Sequence, residues 1–402
     1  MLRIRQSISV ERGQESHAKS GGDWAHLDLL TSSLLRHARL AIVYGGDKAV
    51  EGAVIRQSRN PRSWKSYEYV ARDIAASLER LGCNHVVLLP DDMRLASRLK
   101  QEGIQLAWLN TGGVQGRSSI GHAAAMLEML GIPYIGHDPL TSAILDNKFV
   151  FKRQLMAIGI PTSPFVIWHP ASAPMDPQHH RQFARVFGGW DGGFVVKPVT
   201  GRASLHVHYV ERAADLAATA AKVFDVTQND VLIEAYLPGR EYCIAVAGSV
   251  VSRGGRLEQL PGPFTFAGVE RVLGHDERVF TSMDVAPITR ERVRVLDPRA
   301  DACELDALDD LAATLYTEMP LKTLVRLDVR ADRNGRLFVL EANPKPDLKA
   351  PDAKATSLIG AGLDRLGMTY DDLILSIFAN RAAELLEDGG SITDSLEHLL
   401  SR

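Results

Sequence analysis

Cysteine is scarce in this chain: Cys83, Cys243 and Cys303 are the only three in 402 residues, far apart and without CxxC spacing. That argues against a disulfide framework or a cysteine-rich metal site, and it fits a reducing cytoplasm. Long apolar runs are missing too. No stretch of about 18 apolar residues occurs, so no membrane span and no membrane partner is expected. A dominant charge is also lacking. The formal net charge is -3, which gives no bulk attraction to nucleic acid. Arg3 and Arg5 come without an apolar signal core, and Glu11 and Glu15 fit a targeting peptide poorly. A chain of this length is too long for one core and implies two or three domains.

The most informative stretch runs from Leu321 to Asp347. Thr323 to Arg330 reads as a strand, and Arg336 to Glu341 as another, joined by Asp332-Arg333-Asn334-Gly335. Asn-Gly between two such runs is a strong hairpin signal. Residues two apart on a strand share a face, so Arg326 can point with Asp328, and Glu341 with Asn343. Pairing the strands would gather three oxygen ligands and a guanidinium. Hard oxygen ligands suit Mg²⁺, which leans on substrate phosphates. The plainer alternative is a surface hairpin with solvated charges.

Residues 1 to about 36 are polar and mixed and read as a loosely ordered extension, with one short element at Trp24 to Leu35. From Arg39 a βαβαβ rhythm begins: strands at Arg39–Tyr44, His85–Leu89 and Ile104–Leu109, helices at Tyr67–Leu81 and Asp92–Glu102. This predicts a mostly parallel sheet that binds ligands at the carboxyl ends of its strands. The Gly-rich loop Thr111 to Ser119 leads into a helix from Ile120 to Leu130, with Ser118 or Ser119 as candidate cap. Gly131 to Gly136 reads as an edge strand, followed by helices Pro139–Asp146 and Lys148–Ile158. Adjacent His179 and His180 diverge on a helix and have no partner at ligand spacing, so no metal is expected there. Phe194 to Pro198 is an apolar strand ending in Lys197. The small-residue loop through Gly201 and Ser204 after it would cover phosphates, with strand Leu205–Tyr209 beyond. Asp230 to Leu237 and Arg240 to Ala247 read as strands, the second pairing with Ser249 to Arg253. Residues 254 to 300 carry weak periodicity. Ala302 to Thr317 is an amphipathic helix behind the hairpin, and a last helix after Thr369 has the stripe Ile374, Phe378, Ala382 and Leu385.

These segments together resemble the ATP-grasp superfamily, most closely its D-alanine–D-alanine ligase-like branch. The resemblance spans about residues 39 to 385. It is carried by LGIPYIG at 130 to 136, SAILDNKFVFKRQLMAIGIPTSPF at 142 to 165, FVVKP at 194 to 198, VLIEAYLPGREY at 231 to 242 and VRLDV…FVLEANP at 325 to 344. It implies α/β plus α+β architecture: an N-terminal preATP-grasp α/β domain and two lobes that clamp ATP. The divisions expected are a flexible extension at 1–36, the preATP-grasp domain at 37–140, a central lobe at 141–232, a C-terminal lobe with the metal site at 233–388, and a tail at 389–402. The activity implied is ATP-dependent joining of a carboxylate to an amine through an acyl phosphate, with Mg²⁺ as cofactor and Mn²⁺ as an alternative. The partners implied are an amino acid or small carboxylate plus an amine, and a homodimer is left open.

Carried over residue by residue, Lys148, Lys197 and the phosphate-loop Ser204 would contact ATP phosphates. Glu234, Ala235, Tyr236 and Leu237 match the linker that holds adenine, chiefly through backbone groups. Glu241 matches the ribose acceptor, and Asp328, Glu341 and Asn343 match the Mg²⁺ ligands. Arg326 and Lys197 would be catalytic, Arg326 by steadying charge on the acyl phosphate. The departures fall mostly on the substrate side. Glu68 in Ser66 to Val70 matches the family's EHxVS-like segment only loosely. The loop at 111–119 lacks the family's acidic pair, Pro344 to Lys349 replaces NTxPGMT, and no clear YDYxxKY lid segment is found. They put D-alanine in doubt as the substrate and place Arg117 and Lys345 on pocket loops, where either could bind a carboxylate. A kinase-like or non-catalytic nucleotide-binding protein is the alternative.

Overall fold

A computed structural model describes residues 21–55, 66–116, 118–169, 175–201, 204–274, 277–279, 290–351 and 357–388. In chain order the elements are α1 (Gly21–His37), β1 (Leu40–Tyr44), α2 (Glu68–Arg80), β2 (Val86–Pro90), α3 (Leu95–Gln101), β3 (Leu106–Asn110), α4 (His122–Leu130) and β4 (Tyr134–Ile135). Then follow α5 (Pro139–Asp146), α6 (Lys148–Ala157), β5 (Phe165–Trp168), α7 (Arg181–Phe187), β6 (Phe194–Pro198), β7 (His208–Val210), α8 (Leu216–Thr227) and β8 (Val231–Ala235). The remainder is β9 (Glu241–Ala247), β10 (Val250–Arg253), β11 (Arg256–Gln259), β12 (Phe264–Thr265), β13 (Val269–Arg271), β14 (Val293–Val295), α9 (Ala302–Glu318), β15 (Val325–Ala331), β16 (Leu337–Asn343) and α10 (Tyr370–Asp388).

The first sheet runs β2-β1-β3-β4, all parallel, as the alternation of strands and helices requires. Its strands are apolar runs covered on both faces: α2 buries Val70, Ile74 and Leu78 on one side, and α3 and α4 bury Leu95, Leu99 and Leu127 on the other. The second sheet, β5-β8-β6-β7, is antiparallel and packs against α7 and α8 through Phe183, Phe187, Leu216 and Val223. The third follows β14-β13-β9-β15-β16, with β12 also on β9. α9 packs behind it, burying Leu308, Ala312 and Leu315 among Tyr242, Ile244, Val325 and Leu327.

The structure departs from the sequence reading at several places. The polar N-terminal stretch is helical from Gly21, and Leu27, Leu30 and Leu34 are buried in a core shared with α10; residues 1–20 and the tail at 389–402 lie outside the described residues. Strand Glu241–Ala247 does not pair with Val250–Arg253. It lies between β13 and β15, while β10 turns at Gly254-Gly255 and pairs with β11. Val250 and Val251 are instead buried against α10, which draws the strand away. The strand placed at Leu205 begins only at His208, because Ser204 and His206 take left-handed backbone. Neither Ser118 nor Ser119 caps α4: Gly121 is the cap, and the Ser119 hydroxyl donates to the Gly112 carbonyl. His180 caps α7, accepting from the Phe183 N–H at 3.1 Å, and His179 pairs with Asp176.

Gly113 shows how tightly the first Gly-rich loop is folded. Its φ is +83°, and a Cβ there would lie 2.0 Å from the Ser119 carbonyl oxygen. Gly113→Ala therefore combines left-handed strain with a backbone clash. It is expected to lower stability by about 2–4 kcal/mol in urea unfolding; a change below about 0.5 kcal/mol would contradict this packing.

Candidate active site

The hairpin of β15 and β16 sets out the expected residues in register. Arg326 faces Asn343, and Asp328 faces Glu341. Gly335 supplies the left-handed turn position with φ +82°, beyond the Asx turn in which Asp332 accepts from Asn334 and Arg336 N–H groups. Between Asp328 and Val329 the register shifts by a bulge, leaving Leu340 unopposed and lining the cleft with Glu341.

The cleft lies between this hairpin and the β6–β8 sheet. It is lined by Lys148, Lys197, Ser204, Glu234, Ala235, Tyr236, Leu237, Glu241, Asp328 and Glu341. Arg326 lies beside it, gripping Asp328 at 2.9 Å. Every residue predicted for the nucleotide lines this cleft. Asn343 follows two positions after Glu341, and its side chain accepts from the Lys345 N–H at 3.1 Å.

Electrostatics knit the site together. Glu234 is fully buried and holds two lysines, Lys152 at 3.0 Å and Lys197 at 2.5 Å, and it accepts a hydrogen bond from Ser163 at 3.2 Å. Burial pushes its carboxyl up, but the two ammonium groups outweigh that and bring it down to about 2. Burial brings Lys152 down to about 8 despite Glu234, whereas Glu234 and Glu341 together hold Lys197 above its usual value against the same burial cost. Glu234 was expected in the adenine linker, chiefly through backbone groups; its side chain is committed to positioning lysines, which leaves that expectation to the backbone. Lys148 reaches Glu341 at 3.3 Å and the Gly201 carbonyl at 3.1 Å, tying the small-residue loop to the hairpin.

Two arginines that the sequence reading missed complete the network. Arg271, from β13, donates to Glu241 at 2.9 Å and to Asp328 at 2.8 Å. Arg330 donates to Glu241 at 3.2 Å and to the Tyr236 hydroxyl at 3.0 Å, with its guanidinium 4.7 Å from the Tyr236 ring centre. Burial drives the Asp328 carboxyl up, yet Arg271 and Arg326 hold it well below the carboxylate range; Cys243, beneath it, is pushed up as a thiol. Arg330 was legible in principle, since Arg326, Asp328 and Arg330 alternate along β15. Arg271 sits in the weakly periodic stretch and gave no local signal. On the substrate side, Lys345 is buried, with its ammonium 3.3 Å from the Tyr67 ring centre, and Tyr67 starts α2 in left-handed backbone. Arg117 lies outside the described residues.

The donor set fits a magnesium nucleotide. Six cationic side chains, Lys148, Lys152, Lys197, Arg271, Arg326 and Arg330, stand with four carboxylates, Glu234, Glu241, Asp328 and Glu341, and leave an excess of positive charge for a polyphosphate. Asp328, Glu341 and Asn343 would offer hard oxygen donors to a cation, with the Asp328 carboxylate here taken by Arg271 and Arg326 and the Asn343 amide oxygen by the Lys345 N–H.

Comparison with known proteins agrees with this geometry. A family model described as the D-ala D-ala ligase C-terminus matches residues 155–379. A D-alanine–D-alanine ligase of Gloeobacter violaceus is 28% identical over 306 residues, covering 76% of this chain and 91% of that protein. An uncharacterised protein of Sinorhizobium fredii is 27% identical over 255 residues, 62% of this chain and 68% of its own length. Among solved structures, the D-alanine–D-alanine ligase of Bacillus anthracis complexed with ATP superposes with a TM-score of 0.61 at 20% identity, covering 88% of this chain and all (100%) of that one. A D-Ala:D-Ser ligase of Enterococcus faecalis gives 0.61 at 15% identity, over 86% and 100%. With the site's geometry and a family match over more than half its length, this chain is a divergent member of the D-alanine–D-alanine ligase-like branch of the ATP-grasp superfamily, an enzyme family of carboxylate–amine ligases.

Proposed function

We propose that the protein joins two amino acids or small peptides through a new amide bond, with ATP converted to ADP and phosphate. The observation that carries this reading is the facing pair Asp328 and Glu341, with Arg326 and Asn343 paired on one side and Lys148 on the other. Asp328, Glu341 and Asn343 would hold Mg²⁺. Glu241 would take the ribose hydroxyls, and Ala235 to Leu237 the adenine. Bound Mg-ATP supplies a phosphoryl group that turns the substrate carboxylate into an acyl phosphate. The chain's own part is positioning and charge stabilisation. Lys148 and Lys197 bring fixed positive charge to the phosphates, Lys197 with its proton secured by Glu234 and Glu341. Arg326, held by Asp328, presents its guanidinium where an anionic tetrahedral centre would form. The amine attacks the acyl carbon, phosphate leaves, and the proton shed by the amine passes to solvent.

The substrate loops depart from the family pattern, which favours a carboxylate or amine other than D-alanine. Lys345, anchored over Tyr67 beside the Asn343 turn, is a candidate for reading a substrate carboxylate. ADP and phosphate release, measured against paired panels of amino acids and small carboxylates with mass spectrometry of the products, tests the reading. Release should require a pair and give a product mass equal to the two substrates minus water. ADP formed with one carboxylate and no condensed product would support a kinase. Tight ATP binding without turnover across the panel would support a non-catalytic nucleotide-binding role.

A further inference from the structure

A cavity of about 470 Å³ lies apart from the nucleotide cleft, within the size range of small-molecule sites. α6 contributes Arg153 and Met156, the 159–165 connection contributes Ser163 and Phe165, and α7 contributes Gln182 and Arg185. Among the described residues, no hydrogen bond or ion pair engages either guanidinium or the Gln182 amide. Elsewhere in this chain arginines near the surface are commonly matched to carboxylates, as Arg240, Arg294 and Arg80 are. Two unmatched cations over an apolar floor of Ile160, Pro161 and Phe165 make a receptor for an anionic head on an apolar body.

The cavity also sits where the second and third sheets' bodies meet. α6 is buried with the third sheet through Phe151 and Leu155, whereas α7 is buried with the second through Phe183 and Phe187. Its floor is wired to the nucleotide cleft. Lys152 donates to Thr162 at 2.7 Å and to the Ser163 hydroxyl at 2.8 Å, Thr162 donates to the Val339 carbonyl of β16 at 2.7 Å, and Ser163 donates to Glu234. Ser163 is itself fully buried, so an occupant touching Thr162 and both helices bears, through Lys152, on the carboxylate that holds Lys197.

We propose that this cavity is a second ligand site, taking a small organic monoanion with an apolar body between Arg153 and Arg185, and that its occupancy is coupled to nucleotide binding through Thr162 and Lys152. The inference does not depend on the ligase reading, since it concerns binding alone.

The test is a fluorescence titration of the full chain with anilinonaphthalene sulfonate, a monoanion of this kind, with and without saturating Mg²⁺ and a non-hydrolysable ATP analogue. A saturable dye site should persist with the nucleotide bound, with its affinity shifted about fivefold or more and a reciprocal shift in nucleotide affinity. The double variant Arg153→Glu, Arg185→Glu should weaken the dye at least about tenfold, the loss expected from reversing charges that contact an anion. Both arginines are exposed, so its thermal unfolding should match that of the parent. Complete displacement of the dye by nucleotide would assign the dye to the cleft and overturn the site, as would unchanged affinity in the double variant. Equal competition by inorganic phosphate would overturn the organic occupant, and absence of any reciprocal shift would overturn the coupling. Failure of the analogue to bind would count against the nucleotide reading while the dye and the variant still decide the site.

Discussion

Glu341→Ala should lower ATP turnover by roughly 10³-fold, the upper range for losing one preorganised electrostatic contact, and leave the fold in place. Glu341 faces Asp328 across the hairpin and is the carboxylate partner of Lys148, so its removal strips the proposed metal site of one of two carboxylates. Its side chain is 33% exposed, so the cost in stability should stay near 1 kcal/mol. Asp328 would be a poorer probe. It is fully engaged by Arg271 and Arg326, and Asp328→Ala would leave buried guanidinium groups without a counter-charge. Turnover with varied Mg²⁺ checks the assignment: loss of rate that excess Mg²⁺ partly restores is the expected outcome, and an unchanged rate at low Mg²⁺ would remove Glu341 from the metal site.

Glu234→Gln should be the most destabilising single change in the cleft. It leaves Lys152 and Lys197, both buried, facing each other without their shared carboxylate. Breaking a buried pair from one side costs about 3–5 kcal/mol, and two lysines depend on this one group. The effect has a pH signature. Folding holds the Glu234 carboxyl near about 2, below its ordinary value of 4.5, so its contribution is present above pH 4.5 and is lost as pH falls towards about 2. At about 1.4 kcal/mol per pH unit this is on the order of 3 kcal/mol, and the acid limb of the stability curve should flatten in the variant. Lys152 works in the other direction. Its folded value near about 8 lies below 10.5, so its charged form is disfavoured by folding, and that penalty is relieved as pH rises from 8 to 10.5. Urea unfolding across pH measures both. Adding Lys152→Met to Glu234→Gln should recover part of the stability, because it removes one of the stranded charges. A loss under 1 kcal/mol in the single variant would mean that the triad does not hold the lobe.

Much of the fold was readable because local pattern and global position agree. The Asn-Gly hairpin, the apolar stripe of α10 and the helix pair at α5 and α6 each carry their own start, stop and period. The gathering of Arg326, Asp328, Glu341 and Asn343 was readable because alternation along two adjacent strands places them on one face, whereas Lys148 and Lys197 entered through the family resemblance. What escaped depends on distance. Arg271 meets Asp328 across 57 residues of chain, from a three-residue strand too short to show a period. Lys152 looks like one more charge on a helix until Glu234 arrives from the sheet above. The misplaced partner of β9 has the same origin. Adjacent strands usually pair, but β10 buries its apolar face on α10, and Asn380 and Ser376 of that helix satisfy its backbone at Val250 and Ser252. The element expected at Trp24 to Leu35 lies within α1, but its burial was missed, because a mixed composition hides four leucines that matter only once α10 is beside them.

The way the cores divide has a mechanical consequence. One core runs from α1 and α2 through α10 to β10 and on to Phe264 and Leu348, so the N-terminal sheet and much of the C-terminal lobe are a single block. α6 belongs to that block's neighbour through Phe151, whereas β6, β8, α7 and α8 enclose a core of their own. The cleft is therefore a jaw with one heavy side and one light side. Lys148, Lys152, Asp328 and Glu341 ride on the heavy side; Lys197, Glu234 and Ser204 ride on the light one. The Glu234 carboxylate links those two sets, holding a lysine from each side. A single buried ion triad thus joins the two sides, with Lys148 and Lys197, the lysines proposed for the phosphates, standing one on each.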